Sequence, residues 1–323
     1  MKFILSNRIN NPEIIDLFFS MPTEESLAYA YENLELNCLD FAKRKYGDSD
    51  FYMERFKKEM AFIKEAKLAY HFTIMREVSR RAKLSGFPIV YKENHRCLLV
   101  SYFSQISSIN PLEPHYYCKQ CKHIEYIDTA NDVYDCSEKH CPYCGEKLNK
   151  SGHNIPLTEK VEKYMSDSLT PFLMPDFELE IPLTMLSQLE SDLQKTFGQV
   201  KSYNRYHRIG ITKSSLCELL GQLKKSTGAS WGNIPLSDKE LGMSLFFDEY
   251  YKYFNDDFQY DNCSFYELIK LFAFSADFKN SEKTSSLSQL KAVSIQKVYN
   301  ALRLEWYKQN YGDEYIQIME HFE

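Results

Sequence analysis

Two pairs of cysteines have the spacing of a metal site. They are Cys118-Lys-Gln-Cys121 and Cys141-Pro-Tyr-Cys144, and Gly145 follows the second pair directly. Two residues between the cysteines of a pair let both sulfur atoms turn toward one point, and the polar stretch between the pairs is short enough to bring the halves together. Four thiolates at this spacing favour a tetrahedral Zn²⁺ site.

Four sulfur ligands leave no open coordination position, so we expect this zinc to stabilise the fold and not to activate water. Its binding free energy then contributes to folding a segment that has little core of its own. Two alternatives stay open. The four cysteines could be unliganded thiols, or His123 or His140 could replace one of them, and Cys136 is a spare thiol in the same segment. We favour the all-cysteine set.

Three acidic residues alternate with apolar ones between Pro171 and Pro182. Asp176, Glu178 and Glu180 are separated by single apolar residues. Because side chains alternate in direction along a strand, the three carboxylates should share one face. Carboxylates placed together can hold the metal ions of phosphoryl transfer, but a solvated strand face explains the same pattern.

A basic tract beyond this strand is a candidate for contact with nucleic acid. It consists of Lys201, Arg205, His207, Arg208 and Lys213. Contacts between such side chains and phosphate groups are independent of sequence and weaken with salt. A second basic run on a predicted helix comprises Arg76, Arg80, Arg81 and Lys83. A solvated surface is the simpler explanation for both runs.

Helical periodicity dominates the first half of the chain. Thr23 is a predicted N-cap, and Gly47 is expected to end the helix that starts there. Two more helices are predicted over 50–67 and 70–86, and a short strand at 87–91. Helical patterns return after the strand at 171–182, so the sequence predicts an α+β fold.

Composition narrows the class of protein. The chain has 323 residues, of which 44% are hydrophobic, and a formal net charge of −6. Such a length can bury a sizeable core, and the negative charge means that any contact with nucleic acid needs a local basic patch. No apolar run is long enough to span a bilayer, and the N-terminal residues do not resemble a secretory signal. Zinc thiolates fit a reducing compartment, so we expect a cytoplasmic protein without a membrane partner.

The residues around the cysteine pairs resemble a known family. The stretches Ser108–Cys118, Cys141–Gly145 and Gly152–Pro156 are similar to the zinc module of PolC, a bacterial replicative DNA polymerase of the C family. Pro175–Leu179 resembles the Pro-Asp-x-Asp-Leu strand that carries two catalytic aspartates in that family. Arg208–Gly210 is similar to a landmark after that strand, and weaker similarity extends to both sides.

The resemblance implies a fold and a domain order. In the family this region forms the palm and fingers, and the palm is a nucleotidyltransferase of the polymerase-beta type. We therefore expect a helical N-terminal part of the palm-like region at 1–90, a palm-like core at 91–215 with its zinc module at 115–150, and a helical, fingers-like region at 216–323. The implied partners are a replicative polymerase, another replisome component or primer–template DNA.

Three departures from the family bear on activity. In the family a glycine-rich loop cradles the incoming triphosphate, whereas the matching stretch 91–97 has no glycine and offers only Lys92 and Arg96 as remnants of a phosphate loop. The second aspartate of the catalytic strand is replaced, so Asp176 and Glu178 form a degenerate pair whose added methylene displaces a metal ligand. No counterpart of a third palm aspartate is evident.

These departures predict a catalytically inactive PolC-like pseudoenzyme rather than an enzyme. It would regulate or decoy the replication machinery by binding the polymerase, another replisome component or DNA, and its small size suggests a phage or other mobile element. Two alternatives stay open. One is a minimal DNA polymerase or nucleotidyltransferase that uses Asp176 and Glu178 with Mg²⁺, and the other is a zinc-stabilised nucleic-acid-binding module.

Overall fold

Helices and two small sheets make up the described part of the chain. The fold is taken from a computed structural model, and the described residues are 14–19, 22–91, 97–127, 132–157, 177–197, 207–231, 234–250, 264–277 and 287–322. The strands are β1 (Ile14–Phe19), β2 (Val90–Tyr91), β3 (His115–Tyr117), β4 (Ile124–Tyr126), β5 (Asn149–Ser151), β6 (Phe177–Ile181) and β7 (His207–Lys213). The helices are α1 (Glu24–Tyr46), α2 (Met53–Glu65), α3 (Ala69–Ser85), α4 (Leu99–Phe103), α5 (Leu186–Phe197), α6 (Ser215–Thr227), α7 (Lys239–Tyr250), α8 (Phe265–Asp277), α9 (Leu287–Asn310) and α10 (Gly312–Met319). The predicted α+β class is confirmed.

The chain divides into two compact units. One is formed by Met1–Pro111 with Leu157–Glu218, and the other by Leu112–Pro156 with Leu219–Glu323. Each unit therefore joins two stretches that are far apart in sequence. The family resemblance implies a different division, into three consecutive parts at 1–90, 91–215 and 216–323. That division stays a prediction.

Capping residues fix the ends of the helices in the first unit. The Thr23 hydroxyl accepts a hydrogen bond from the Ser26 N–H at 3.1 Å, and Gly47 at a φ of 68° ends α1, as predicted. The strand predicted at 87–91 is shorter than expected and begins at Val90. The reason is local: the Phe87 N–H donates to the Ala82 carbonyl at 3.1 Å and completes the cap of α3.

A buried ion pair joins α2 to the segment that leads to the cysteine pairs. Arg55 Nε lies 2.9 Å from Glu59 Oε1, and the Glu59 side chain is fully buried. The other carboxylate oxygen accepts the Val100 N–H at 2.9 Å, and the Arg55 guanidinium donates to the carbonyl oxygens of Cys97 and Pro111. A buried carboxylate needs such partners because it has lost its water.

The four-stranded sheet of the first unit has the order β1-β7-β6-β2. β6 runs parallel to β7, while β1 and β2 are antiparallel to their neighbours. Leu179 and Ile181 are fully buried, whereas Glu180 between them is half-buried, which is the alternation expected of this strand. Tyr91 of β2 attaches the sheet to α3, because its hydroxyl lies 2.5 Å from Ser79 Oγ.

In the second unit, a buried polar chain fixes the segment that carries the cysteine pairs. His153 lies between Asp132 and Tyr299, with its Nδ1 2.7 Å from the carboxylate and its Nε2 2.6 Å from the phenol oxygen. All three residues are buried. Asp135 adds a second link, since its carboxylate accepts the N–H groups of Phe265 and Tyr266 at the start of α8.

Within the described ranges, none of the helices combines the length and the hydropathy that crossing a bilayer requires.

Replacing the buried carboxylate tests the role of the ion pair. We expect Glu59→Gln to destabilise the fold by about 3 kcal/mol, because Arg55, which is only 18% exposed, would lose its counter-ion. The midpoint of urea unfolding measures this. Asp40→Asn is the matched control, because Asp40 forms an exposed pair with Arg44 at 2.7 Å on α1, which should contribute about 0.5 kcal/mol or less. Equal shifts in both variants would contradict the assignment.

Candidate metal centre

The two cysteine pairs fold into backbone turns of the same form. In the first, the Lys122 N–H donates to the Cys118 carbonyl at 3.1 Å; in the second, the Gly145 N–H donates to the Cys141 carbonyl at 2.9 Å. The residue after each second cysteine has a positive φ, 64° at Lys122 and 75° at Gly145. Glycine adopts this conformation without strain. We call the two turns the knuckles.

Short strands hold the knuckles in place. β3 leads into the first knuckle and pairs with β4 on one side and β5 on the other. An isolated bridge between His140 and Lys147 closes the second knuckle. The apolar residues beneath them form a small core, which consists of Tyr116, Cys118, Cys141 and Leu148 with Ile127, Cys136 and Cys144 packed against it.

The four sulfur atoms have the separations of a tetrahedral zinc site. All four Sγ atoms lie within 4.8 Å of one another. Cys118 and Cys144 are 3.4 Å apart, Cys121 and Cys141 are also 3.4 Å apart, and Cys121 and Cys144 are 3.8 Å apart. Zinc–sulfur bonds of about 2.3 Å in a tetrahedron give sulfur separations of about 3.8 Å. These distances exclude disulfides, which need about 2.05 Å.

Backbone N–H groups point at the sulfur atoms and favour the thiolate form. The N–H groups of Cys121 and Gln120 donate to the Cys118 sulfur and lower the pKa of that thiol to about 7. Burial raises the pKa of Cys141, but the N–H groups of Tyr143 and Cys144 outweigh it and lower that pKa. Donors placed in this way stabilise metal-bound thiolates from the second coordination sphere.

Four thiols this close together cannot all lose their protons unless a cation is present. The N–H groups of His123 and Glu146 donate to Cys121 and Cys144, yet burial and the neighbouring sulfurs raise the pKa of both thiols, that of Cys144 to about 12. A dication removes this conflict, because it stabilises all four thiolates together. The donor set therefore fits structural Zn²⁺.

Neither histidine near the knuckles joins the ligand group. Among the described residues, the group that could hold a metal here consists of four cysteines. The ring of His123 packs against the ring of Tyr143 at a centroid distance of 4.8 Å, and His140 is exposed. The geometry favours the all-cysteine set over the set with a histidine. Cys136 packs beside the site and is not in the group.

The other predicted site residues are described only in part. Five lie outside the described residues: Asp176, Lys92, Arg96, Lys201 and Arg205. Glu178 and Arg208 occupy positions in β6 and β7, and only their backbone is described. Lys213 is exposed at the end of β7. Their predicted roles stay predictions.

The basic run on α3 makes contacts inside its own unit. Arg76 donates to the Asn37 side chain at 2.8 Å. Arg80 and Arg81 both pair with Glu77 at 2.7 Å, and Arg81 also pairs with Asp192. These contacts involve Arg76, Arg80 and Arg81 within the first unit, and the solvated surface expected for this run stays a prediction.

The sheet register places one acidic residue that sequence reasoning missed. Asp16 of β1 is the register partner of Gly210 in β7, and Gly210 is also the register partner of Glu178 in β6. The three positions form one row on one face of the sheet, and Arg208 lies two residues from Gly210 on that face. Neighbouring strands are about 4.8 Å apart, so the Cα atoms of the two acidic residues are about 10 Å apart.

A signal for this residue was present in the sequence. Asp16 is the single charge in the apolar run Ile14–Phe19. A charge in the middle of such a run is unusual for a buried strand. The pairing of β1 with β7 could not be inferred from the sequence, because the two strands are almost 200 residues apart along the chain.

Replacing one ligand tests the metal centre. We expect native mass spectrometry to find one zinc ion per chain, and we expect Cys118→Ser and Cys144→Ser to lose zinc and unfold at lower temperature, because metal binding contributes to folding. Cys136→Ser is the matched control and should keep both zinc and stability. A wild-type chain that is metal-free and equally stable would contradict the site.

Comparison with known proteins places these features in a family context. No protein-family model matches the chain. It is 26% identical over 269 residues to the PolC-type DNA polymerase III of Ureaplasma parvum. The matched region is 72% of this chain and 18% of that protein. The chain is 27% identical over 166 residues to the Bacillus subtilis protein of the same name, covering 50% of the chain and 11% of that protein.

A third relative gives the same result. The PolC-type DNA polymerase III of Thermotoga maritima is 28% identical over 187 residues, which is 57% of this chain and 13% of that protein. The matched region thus spans less than a fifth of the length of each of these relatives. These matches show that the chain is PolC-like, and that its similarity is to a part of PolC-type DNA polymerase III.

Proposed function

We propose that this chain is a catalytically inactive PolC-like protein that regulates or decoys the replication machinery in the cytoplasm. It would do so by binding a replicative polymerase, another replisome component or DNA. An origin in a phage or another mobile element belongs to the same proposal. The supporting observation is a contrast within one chain: four cysteines keep the geometry of a zinc site, while the residues aligned with the catalytic strand have changed.

The proposal takes the four-stranded sheet as a palm of the polymerase-beta type. β6 holds the interior position next to the parallel strand β7, so the position of Glu178 lies in the middle of the sheet. Glutamate in place of the second aspartate moves the carboxylate outward by one methylene, whereas metal sites tolerate shifts of about 0.2 Å. The stretch that aligns with the phosphate-binding loop has no glycine to let backbone approach a triphosphate.

A second candidate is a minimal metal-dependent nucleotidyltransferase. One observation favours it: Asp16 and Glu178 share a row of the sheet with only a glycine between them. A carboxylate from β1 could then take the place of the third palm aspartate that the catalytic segment lacks. Mg²⁺ would be the cofactor in this case, since carboxylate oxygens are its usual protein ligands.

Primer extension separates the two candidates. We expect the zinc-loaded chain to extend no labelled primer on a template with Mg²⁺ or Mn²⁺, and Glu178→Asp to restore nothing, because the phosphate cradle would still be missing. Extension that is lost in Asp176→Asn and in Asp16→Asn, and kept in the exposed control Asp313→Asn on α10, would contradict the first candidate and establish the second.

Affinity capture tests the replisome partner. A tagged chain added to a nuclease-treated lysate of a bacterium with a PolC-type polymerase should recover that polymerase, its clamp or a clamp-loader subunit. The nuclease removes proteins that are held only through DNA. The variant Cys144→Ser, which should lose zinc, should recover less of these proteins if binding them requires a folded knuckle segment. Recovery of no replication protein would contradict this form of the proposal.

A further inference from the structure

An aromatic ring and several lysines lie together at the outer side of the two knuckles. We call this patch the knuckle-tip surface, and it consists of Lys119, Lys122, His123, Tyr143 and Lys147. Tyr143 is 77% exposed although it is a large aromatic residue. It lies between the two cysteines of the second knuckle, where it has no part in binding the metal.

The knuckles fix the position of this tyrosine. Its backbone N–H donates to the Cys141 sulfur, and its ring packs edge-on against His123 at 4.8 Å with an angle of 67° between the rings. His123 is held in turn, because its carbonyl accepts the Cys118 N–H at 2.8 Å. A ring held in this way loses little conformational entropy when a ligand stacks on it.

Lysines occur on both knuckles, and Lys122 directly precedes the histidine on which the ring packs. Lys119 is exposed, and it takes part in no ion pair with the described residues. The Lys122 ammonium donates to the Lys119 carbonyl at 2.7 Å, which keeps its charge at this surface. Lys119 and Lys147 line one shallow depression together with Gln120, Glu146, Leu148 and Asn149. Glu146 opposes these charges, and Glu138 pairs with Lys147 at 2.8 Å.

Balancing the charge of the zinc thiolates is one possible role for these lysines. A site of four thiolates and one Zn²⁺ carries net negative charge, which lysines could balance. Backbone N–H groups from Gln120, Cys121, His123, Tyr143, Cys144 and Glu146 already donate to the sulfurs. The sulfurs therefore do not depend on the lysines for hydrogen bonds, and the exposed Lys119 can face a ligand outside the knuckles.

We propose that the knuckle-tip surface binds single-stranded nucleic acid. A base stacks on Tyr143, while Lys119 and Lys122 contact the phosphates on either side. Protein–protein interfaces are depleted in lysine at their centres, whereas an exposed aromatic ring among lysines is typical of single-strand binding. The overall charge of −6 makes a local patch necessary for such binding. This inference rests on the proposed function only in taking nucleic acid as the partner.

Fluorescence anisotropy with a labelled oligothymidylate tests this surface. The full-length, zinc-loaded chain should bind the oligonucleotide, and Tyr143→Ala should weaken binding by about 5-fold or more, the loss expected for one stacked base. Lys119→Gln should reduce the slope of log K against log salt by about 0.7, because one phosphate contact is lost. Zinc content and melting temperature should be unchanged in both variants, which excludes unfolding as the cause.

Two tyrosines elsewhere serve as matched controls. Tyr126 on β4 belongs to the same segment and is 49% exposed, and Tyr29 on α1 is 69% exposed. Tyr126→Ala and Tyr29→Ala should bind as the wild type does. The proposal is overturned if Tyr143→Ala also binds normally, if all three variants weaken binding equally, or if the wild type does not bind. Primer extension and capture of replisome proteins remain separate readouts, since Tyr143 is neither a zinc ligand nor part of the palm-like sheet.

Discussion

Repulsion between four closely spaced thiolates is the constraint on which the knuckle segment depends. Sulfur atoms within 4.8 Å of one another cannot all ionise without a cation, and a cluster of protonated thiols would leave the inward-pointing N–H groups with weak acceptors. The apolar core beneath them is too small to fix two turns by itself. A zinc ion held by the four cysteines would supply what the core cannot, and the Asp132–His153–Tyr299 chain attaches the segment to α9.

Features that depend on neighbouring residues could be predicted from the sequence, and features that depend on distant pairing could not. The cysteine site and the ends of α1 and α3 are local, because a knuckle or a cap involves residues within one turn. The buried Arg55–Glu59 pair was missed since its partners Cys97, Val100 and Pro111 come much later in the chain. The strand after α3 was predicted too long because the Phe87 N–H had a second use, in the cap of that helix.

The difference between local patterns and distant pairing also affects the row that contains Asp16 and Glu178. Counting acidic residues along the catalytic segment finds no third carboxylate, yet pairing of β1 with β7 places Asp16 in the row of Glu178. Under the proposed function two effects would oppose each other: the row supplies an additional acidic residue, and the longer glutamate would displace a ligand from the position that metal ions require. The stretch 91–97 without glycine adds to the case for inactivity, because backbone N–H groups would lack the close approach to a triphosphate that glycine allows.

A closed metal site contributes to function only through the groups that it positions. A zinc ion bound by four sulfurs would have no coordination position for a substrate, so it would take no direct part in chemistry. What it can offer is rigidity, and the residues that gain most from it are those between the cysteines, whose backbone is fixed while their side chains remain exposed. Tyr143 is such a residue, since it is 77% exposed although one edge of its ring packs against His123. A ligand that stacks on the ring would remove more of the ring from water, and the positive charge of the nearby lysines would attract its phosphate groups.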